Sequence, residues 1–134
     1  MKKITNILYY VAMGIMLLWF AYNKGWIFAN FDSVTPQEAV TMLESDTNVT
    51  LLDVRTPEEF RSGHLRGATL IPLSKLEANL GKIAPYKQTK LLVYCRSGNR
   101  SVAASRILAK HGFHPLNIKE GIMGLKAAGA ALVH

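Results

Sequence analysis

The chain has 134 residues, 49% of them hydrophobic, with 16 basic and 9 acidic side chains and a formal net charge of +7, which suits one modest domain plus an appendage. A single cysteine excludes an intramolecular disulfide, so the domain must rest on its core. The charge points to anionic partners, but the basic residues are dispersed and not interleaved with aromatics, which argues against nucleic acid.

The hydrophobic excess lies at the start. From Ile4 to Tyr22 no residue is charged, and 19 helical residues span about 28 Å, close to the thickness of a bilayer's hydrocarbon. Lys2 and Lys3 precede this run, while Trp19, Tyr22, Lys24 and Trp26 mark its far end as interfacial residues would. The reading is a single-pass transmembrane anchor over about residues 4–22, within an anchor and linker spanning 1–32. A secretory signal shares the charged start and apolar middle, although no small-x-small cleavage site is obvious. The positive-inside bias puts the N-terminus in the cytoplasm and the rest of the chain outside it; the bias is slim, and a cytoplasmic domain stays open.

Beyond the linker, Thr35 and Pro36 begin a capped helix through Glu44, with Glu38 completing a capping box. Val49 to Val54 reads as a strand, and Thr56, Pro57, Glu58, Glu59 repeats the capped start. Ala68 to Pro72 is a short strand and Ser74 through Leu80 a short helix with Gly81 at its exit. Leu91 to Tyr94 is a buried strand, Ser101 to His111 a helix capped by Ser101, Pro115 to Ile118 a strand and Met123 to Ala128 a final helix. Alternation of this kind predicts an α/β fold, a parallel sheet covered by helices on both faces, in one domain from 33 to 134.

Cys95 closes the apolar strand and opens the run Arg96, Ser97, Gly98, Asn99, Arg100, Ser101. A core cysteine would lie inside an apolar run. This one ends it, at the carboxyl edge of a strand, where parallel sheets bind ligands and where a short loop entering a helix turns several amides into one cavity. The helix dipole and the neighbouring Arg96 and Arg100 favour thiolate over thiol, so no separate general base is needed. The reading is nucleophilic thiolate chemistry on an anionic substrate.

Leu52, Asp53, Val54, Arg55, then Glu58, Glu59, Phe60, then Gly63, His64, Leu65, Arg66, Gly67, Ala68 resemble the first signature of the rhodanese, or single-domain thiosulfate sulfurtransferase, family. Cys95 to Ser101 resembles its active-site loop, and Gly112, Phe113, Gly121 and Lys126 to Gly129 its C-terminal part. The chain departs from the family at Leu70, often Asn; at Glu120 with Gly121, often a glycine pair; and at Leu125, often aromatic.

The resemblance implies a five-stranded parallel sheet and a sulfur-transfer reaction. Cys95 would take the outer sulfur of thiosulfate or a persulfide donor, hold it as a persulfide and pass it to a thiol or cyanide acceptor. The substrate-binding residues would be Arg96, Ser97, Gly98, Asn99, Arg100 and Ser101: loop amides stabilising the persulfide, arginines steering the donor, Gly98 permitting the turn. No cofactor is implied.

Two other readings stand beside it. One is a sulfur carrier or redox-sensing module with low turnover. The other is a Cys-dependent phosphatase or arsenate reductase, disfavoured because only four residues separate Cys95 from Arg100, where those enzymes have five, and because the loop has no acid for the leaving group. Asp53 and Arg55 read as a structural pair, His64 as a packing or turn residue, and Arg106 with Lys110 as a solvated helix face. His111, His114 and His134 lack companions at metal-ligand spacing, so no metal site is expected.

Overall fold

A computed structural model describes residues 2–134. Helix α1 (Lys2–Asn23) has no buried residue and meets the rest of the chain at its C-terminal end, against the helix Asn99–Lys110. Its 22 residues are long and apolar enough to cross a membrane, a test that a signal sequence also passes.

The remainder alternates as the sequence predicts. In order come β1 (Asp32–Val34), α2 (Pro36–Ser45), β2 (Val49–Asp53), α3 (Pro57–Arg61), the two-residue strands β3 (His64–Leu65) and β4 (Thr69–Leu70), then β5 (Lys90–Tyr94), α4 (Asn99–Lys110), β6 (His114–Ile118), α5 (Gly121–Ala127) and β7 (Leu132–Val133). The five-stranded sheet runs β1-β6-β5-β2-β4, all parallel, and β3 pairs antiparallel with β7 outside it.

Both early helix caps form, but the reciprocal capping box closes only at Thr56, where Glu59 accepts from the Thr56 amide; Glu38 accepts from the Thr35 hydroxyl instead. The Thr35 and Thr56 hydroxyls accept from the amides of Glu38 and Glu59, and each helix has proline in its first turn, where a missing N–H costs nothing. β5 is buried from Leu91 to Tyr94 because helices cover both faces. One face packs Leu52, Val54, Leu91, Val93, Ala104 and Leu108; the other packs Ala39, Leu51, Leu92, Tyr94, Ile118 and Leu125.

Several expectations are corrected. The Ser74 to Leu80 helix is instead three short 3₁₀ turns, Leu73–Lys75, Glu77–Lys82 and Ala84–Tyr86, interrupted at Asn79 by non-helical backbone. Asn79, Gly81 and Pro85 leave no stretch long enough to propagate an α-helix. The stretch read as linker contributes β1, because the exposed edge of β6 takes up Asp32 to Val34. Helix α4 starts two residues early, and its cap position is Gly98, left-handed at φ 107°; Ser101 is fully buried inside its first turn.

Candidate active site

The Cys95 loop joins the carboxyl end of the central strand β5 to the N-terminus of α4. Cys95 is 1% exposed and belongs to the buried cluster of Leu52, Val54 and Val93, so ending the apolar strand does not keep it out of the core as the sequence suggested; the donor at its sulfur is what sets it apart. Its Sγ accepts from the Gly98 amide at 3.1 Å and lies 3.5 Å from the Ser101 hydroxyl. Of the loop amides expected to converge on the sulfur, Gly98 is the one that reaches it here, with Ser101 closing from the helix side.

The loop is held from outside. Its Cys95 and Arg96 carbonyls accept from the amides of Ile122 and Met123 in the first turn of α5, at 2.8 and 3.3 Å. These bonds turn the carbonyls outward, leaving the amide edge to face the sulfur. The close approach requires Gly121, at φ 55°, because a Cβ there would come within 2.6 Å of the Arg96 carbonyl. Glu120, where the family often has glycine, takes the left-handed conformation as well, at φ 64°. Glu120→Gly is therefore expected to raise stability by about 1 kcal/mol, read as a higher urea midpoint at unchanged slope.

Arg100 does not project freely toward a donor. Its guanidinium grips the Glu59 carboxylate in a two-pronged pair at 2.6 and 2.8 Å, and Glu59 Oε1 also accepts from the Thr56 amide and hydroxyl. The first turn of α4 is thereby tied to the start of α3. Arg100 holds the Glu59 carboxyl at about 2, below its usual 4.5, with the Thr56 amide adding to the effect.

A carboxyl depressed in the folded state contributes stability that is complete above pH 4.5 and lost as pH falls through about 2. Glu59→Gln should then lower stability at pH 7 by ~1–2 kcal/mol, allowing for solvent screening of a partly exposed pair. Denaturation of both proteins between pH 7 and pH 2 checks this: the gap should narrow below pH 4.5 and close near 2.

The structural reading of Asp53 and Arg55 agrees with the geometry. Arg55 Nη2 lies 2.7 Å from Asp53 Oδ2 and also donates to the Gly63 carbonyl at 2.8 Å, and the Asp53 side chain is completely buried. Arg55 stacks over Tyr94, whose phenol is pushed up by burial and by the Asp53 charge and accepts from the Leu65 amide. His64 stacks on Phe60 with centroids 3.6 Å apart, as a packing residue would.

Arg106 corrects the expectation of a solvated face. Its guanidinium lies 3.7 Å from the Tyr22 ring centroid and donates to the carbonyls of Tyr22 at 2.6 Å, Ile27 at 3.0 Å and Phe28. It thus caps the last turn of α1, whose carbonyls have no partner within the helix. Lys24 Nζ extends the same contact to Asn99 Oδ1 in the catalytic loop, at 2.8 Å. No local pattern in the sequence announces these contacts, which join residues 75 to 84 positions apart.

Two cavities flank the loop. One of about 350 Å³ is lined by Arg96 together with Arg55, Glu59, Met123 and Lys126. Arg55 and Glu59 are neutralised by Asp53 and Arg100, so Arg96 and Lys126 leave it net positive. The other, about 670 Å³, is lined by Ser97, Gly98 and Asn99 of the loop, by Lys24, Gly25 and Trp26 after α1, and by Asp32, Asn117, Lys119 and Glu120. Of the residues predicted for the site, Cys95, Gly98 and Ser101 converge on the sulfur. Arg96, Ser97 and Asn99 face the cavities, and Arg100 is turned away to Glu59.

The family described as "Rhodanese-like domain" matches residues 35–128. Over 62 residues the chain is 36% identical to "Thiosulfate sulfurtransferase PspE" of Escherichia coli, covering 46% of this chain and 60% of that protein. Over 98 residues it is 32% identical to a "Sulfurtransferase" of Allochromatium vinosum, covering 72% of this chain and 90% of that one. Some curated relatives are longer, and the chain spans 22% of one such adenylyltransferase/sulfurtransferase. Among solved structures, a rhodanese-related protein from Thermoplasma volcanium superimposes with a TM-score of 0.70 at 27% identity, covering 77% of this chain and 98% of that one.

Proposed function

This chain belongs to the rhodanese-like domain family, and from that membership we propose that it is a membrane-tethered sulfurtransferase with Cys95 as its nucleophile. The Cys95 thiolate attacks the outer sulfur of thiosulfate; a sulfur–sulfur bond forms at Sγ, the bond to the sulfonate sulfur breaks, and sulfite leaves with the electron pair. The product is an anionic Cys95 persulfide. An acceptor thiolate or cyanide then attacks the outer sulfur, and the electron pair of the broken bond returns to Sγ.

The observation that carries this reading is the Gly98 amide donating to Sγ across a loop whose other side is clamped by α5. A fixed main-chain donor stabilises negative charge on sulfur and needs no rearrangement during reaction. Four residues between Cys95 and Arg100, with Arg100 committed to Glu59, leave no guanidinium arching over a tetrahedral oxyanion, which disfavours phosphoryl or arsenate chemistry. The positive cavity beside Arg96 and Lys126 suits a small dianionic donor.

The test is intact-mass analysis of the full chain in detergent after exposure to thiosulfate. A gain of one sulfur at Cys95, removed by cyanide, is expected; no gain with thiosulfate or with a persulfide donor overturns the proposal. A sulfur-carrier variant of the same chemistry is the second reading, since a relative in Bacillus subtilis is described as "Putative sulfur carrier protein YrkF". Fast loading followed by slow release to small acceptors would select the carrier.

The anchor belongs to the same proposal. Helix α1 has no buried residue and meets the domain only near its C-terminal end, and an apolar helix of this length matches a bilayer. Lys2 and Lys3 at its start favour a cytoplasmic N-terminus and an extracytoplasmic domain. A reporter fused after His134 that works only outside the cytoplasm would support that orientation, and activity only inside would reverse it.

A further inference from the structure

We propose that the cavity between the segment following α1 and the catalytic loop is a separate acceptor subsite, built for an amino-acid or short-peptide thiol carrying both a free ammonium and a carboxylate. The inference rests on the sulfurtransferase reading and adds where the acceptor binds and what it is. Residues 24–26 lie outside the family match at 35–128, so this part of the wall is built by the segment after α1 and not by the matched domain.

Charge separates the two cavities. The one beside Arg96 is net positive, as a dianionic donor requires. The larger one presents Lys24 and Lys119 against Asp32 and Glu120, and none of these four forms an ion pair among the described residues. Two cations and two anions set around one space fit a ligand with charges of both signs. A simple dianion would meet two carboxylates there, and a neutral thiol would leave Lys119, Asp32 and Glu120 unused.

A second observation points the same way. Asn117 lines this cavity at only 4% exposure, and its side-chain oxygen has no hydrogen-bond partner. An orphaned buried amide oxygen is costly, and a rotation of the side chain toward the cavity would let a ligand donor, such as an ammonium or a peptide N–H, satisfy it. The volume, about 670 Å³, lies within the range of small-ligand sites.

Position relates the subsite to the sulfur. Gly98 lines the cavity and its amide donates to Cys95 Sγ, so no side chain at position 98 stands between them. Lys24 is bonded to Asn99, which orders the wall on the loop itself. In the transfer step the bound acceptor's thiolate forms a bond to the outer persulfide sulfur, the Sγ–S bond breaks, and its electron pair remains on Sγ.

The test uses the full chain in detergent micelles and S-methylglutathione, which has the peptide, ammonium and carboxylates of such an acceptor but no thiol to react. Calorimetry should detect binding, weakened about tenfold in Lys119→Ala and in Asp32→Asn, the loss expected for one charge-assisted contact. Both residues are exposed, so the variants should fold. In turnover, the ratio of kcat/KM for glutathione to that for cyanide should fall by a similar factor in each variant.

Absence of binding, binding unchanged in both variants, or an equal loss with glutathione and cyanide each overturns the subsite. Because calorimetry needs no sulfur, it measures occupancy of the cavity even if Cys95 proves unable to load. Loading without binding would instead leave the sulfurtransferase standing and remove the subsite alone.

Discussion

Cys95→Ser is expected to lower sulfur transfer from thiosulfate to cyanide by at least about a thousandfold, the scale on which removal of a covalent nucleophile acts. A serine hydroxyl stays protonated at neutral pH and cannot form the persulfide, yet it is small enough for the same place and can accept from the Gly98 amide as Sγ does. The melting temperature should therefore move by only a few degrees. Steady-state assay together with thermal unfolding separates the outcomes: activity retained at a tenth of the original or more would remove Cys95 from the reaction, and collapse of the fold would show that the sulfur is a packing element. Cys95 belongs to the same buried cluster as Leu52, Val54 and Val93, so this control matters.

The second large effect concerns stability. Arg55→Ala should cost about 3–5 kcal/mol, because it strands the completely buried Asp53 carboxylate without its partner. Against a total of roughly 5–15 kcal/mol for a domain, this approaches unfolding. Urea denaturation of the full chain in detergent measures it. The cost belongs to the unpaired charge rather than to the pair, so Arg55→Met combined with Asp53→Leu should recover much of the loss. A single Arg55→Ala variant destabilised by less than about 1 kcal/mol would show that water or another group takes over the carboxylate. The pair lies next to the site: Arg55 lines the positive cavity and holds the Gly63 carbonyl, so partial loss of activity before unfolding is expected as well.

The features legible in the sequence are those written in local chemistry. Thr35 with Glu38 and Thr56 with Glu59 mark two helix starts because the capping bonds lie within three residues. Strand β5 is legible as a run of apolar residues, and Cys95 as the residue that ends it. What escapes is set by distant partners. Asp32 and Ser33 are weak strand formers that extend only because β6 offers a parallel edge. Ser101 looks like a cap by residue type, but the left-handed turn at Gly98 starts the helix earlier and turns the hydroxyl toward the thiol. Arg100 reads as a free cation until Glu59, 41 positions away, is placed beside it. Arg106 is the extreme case, a basic residue on an ordinary helix face that caps a different helix.

The Arg106 cap also bears on how the domain moves. A free linker of eight residues would let a tethered domain wander over roughly 15 Å, sampling many tilts and heights. With the Tyr22 and Ile27 carbonyls bonded to Arg106 of α4 and Lys24 tied to Asn99, the junction is held against the domain and would act as a stalk. Under the proposed anchor, such a stalk would present the Cys95 sulfur at one altitude and one attitude, so that large partners would be sorted by geometry before any chemistry begins. Delivery from a protein whose own reactive group rides at a matching height would then be fast, and from one that rides too high or too low it would be slow, however well the two thiols are matched.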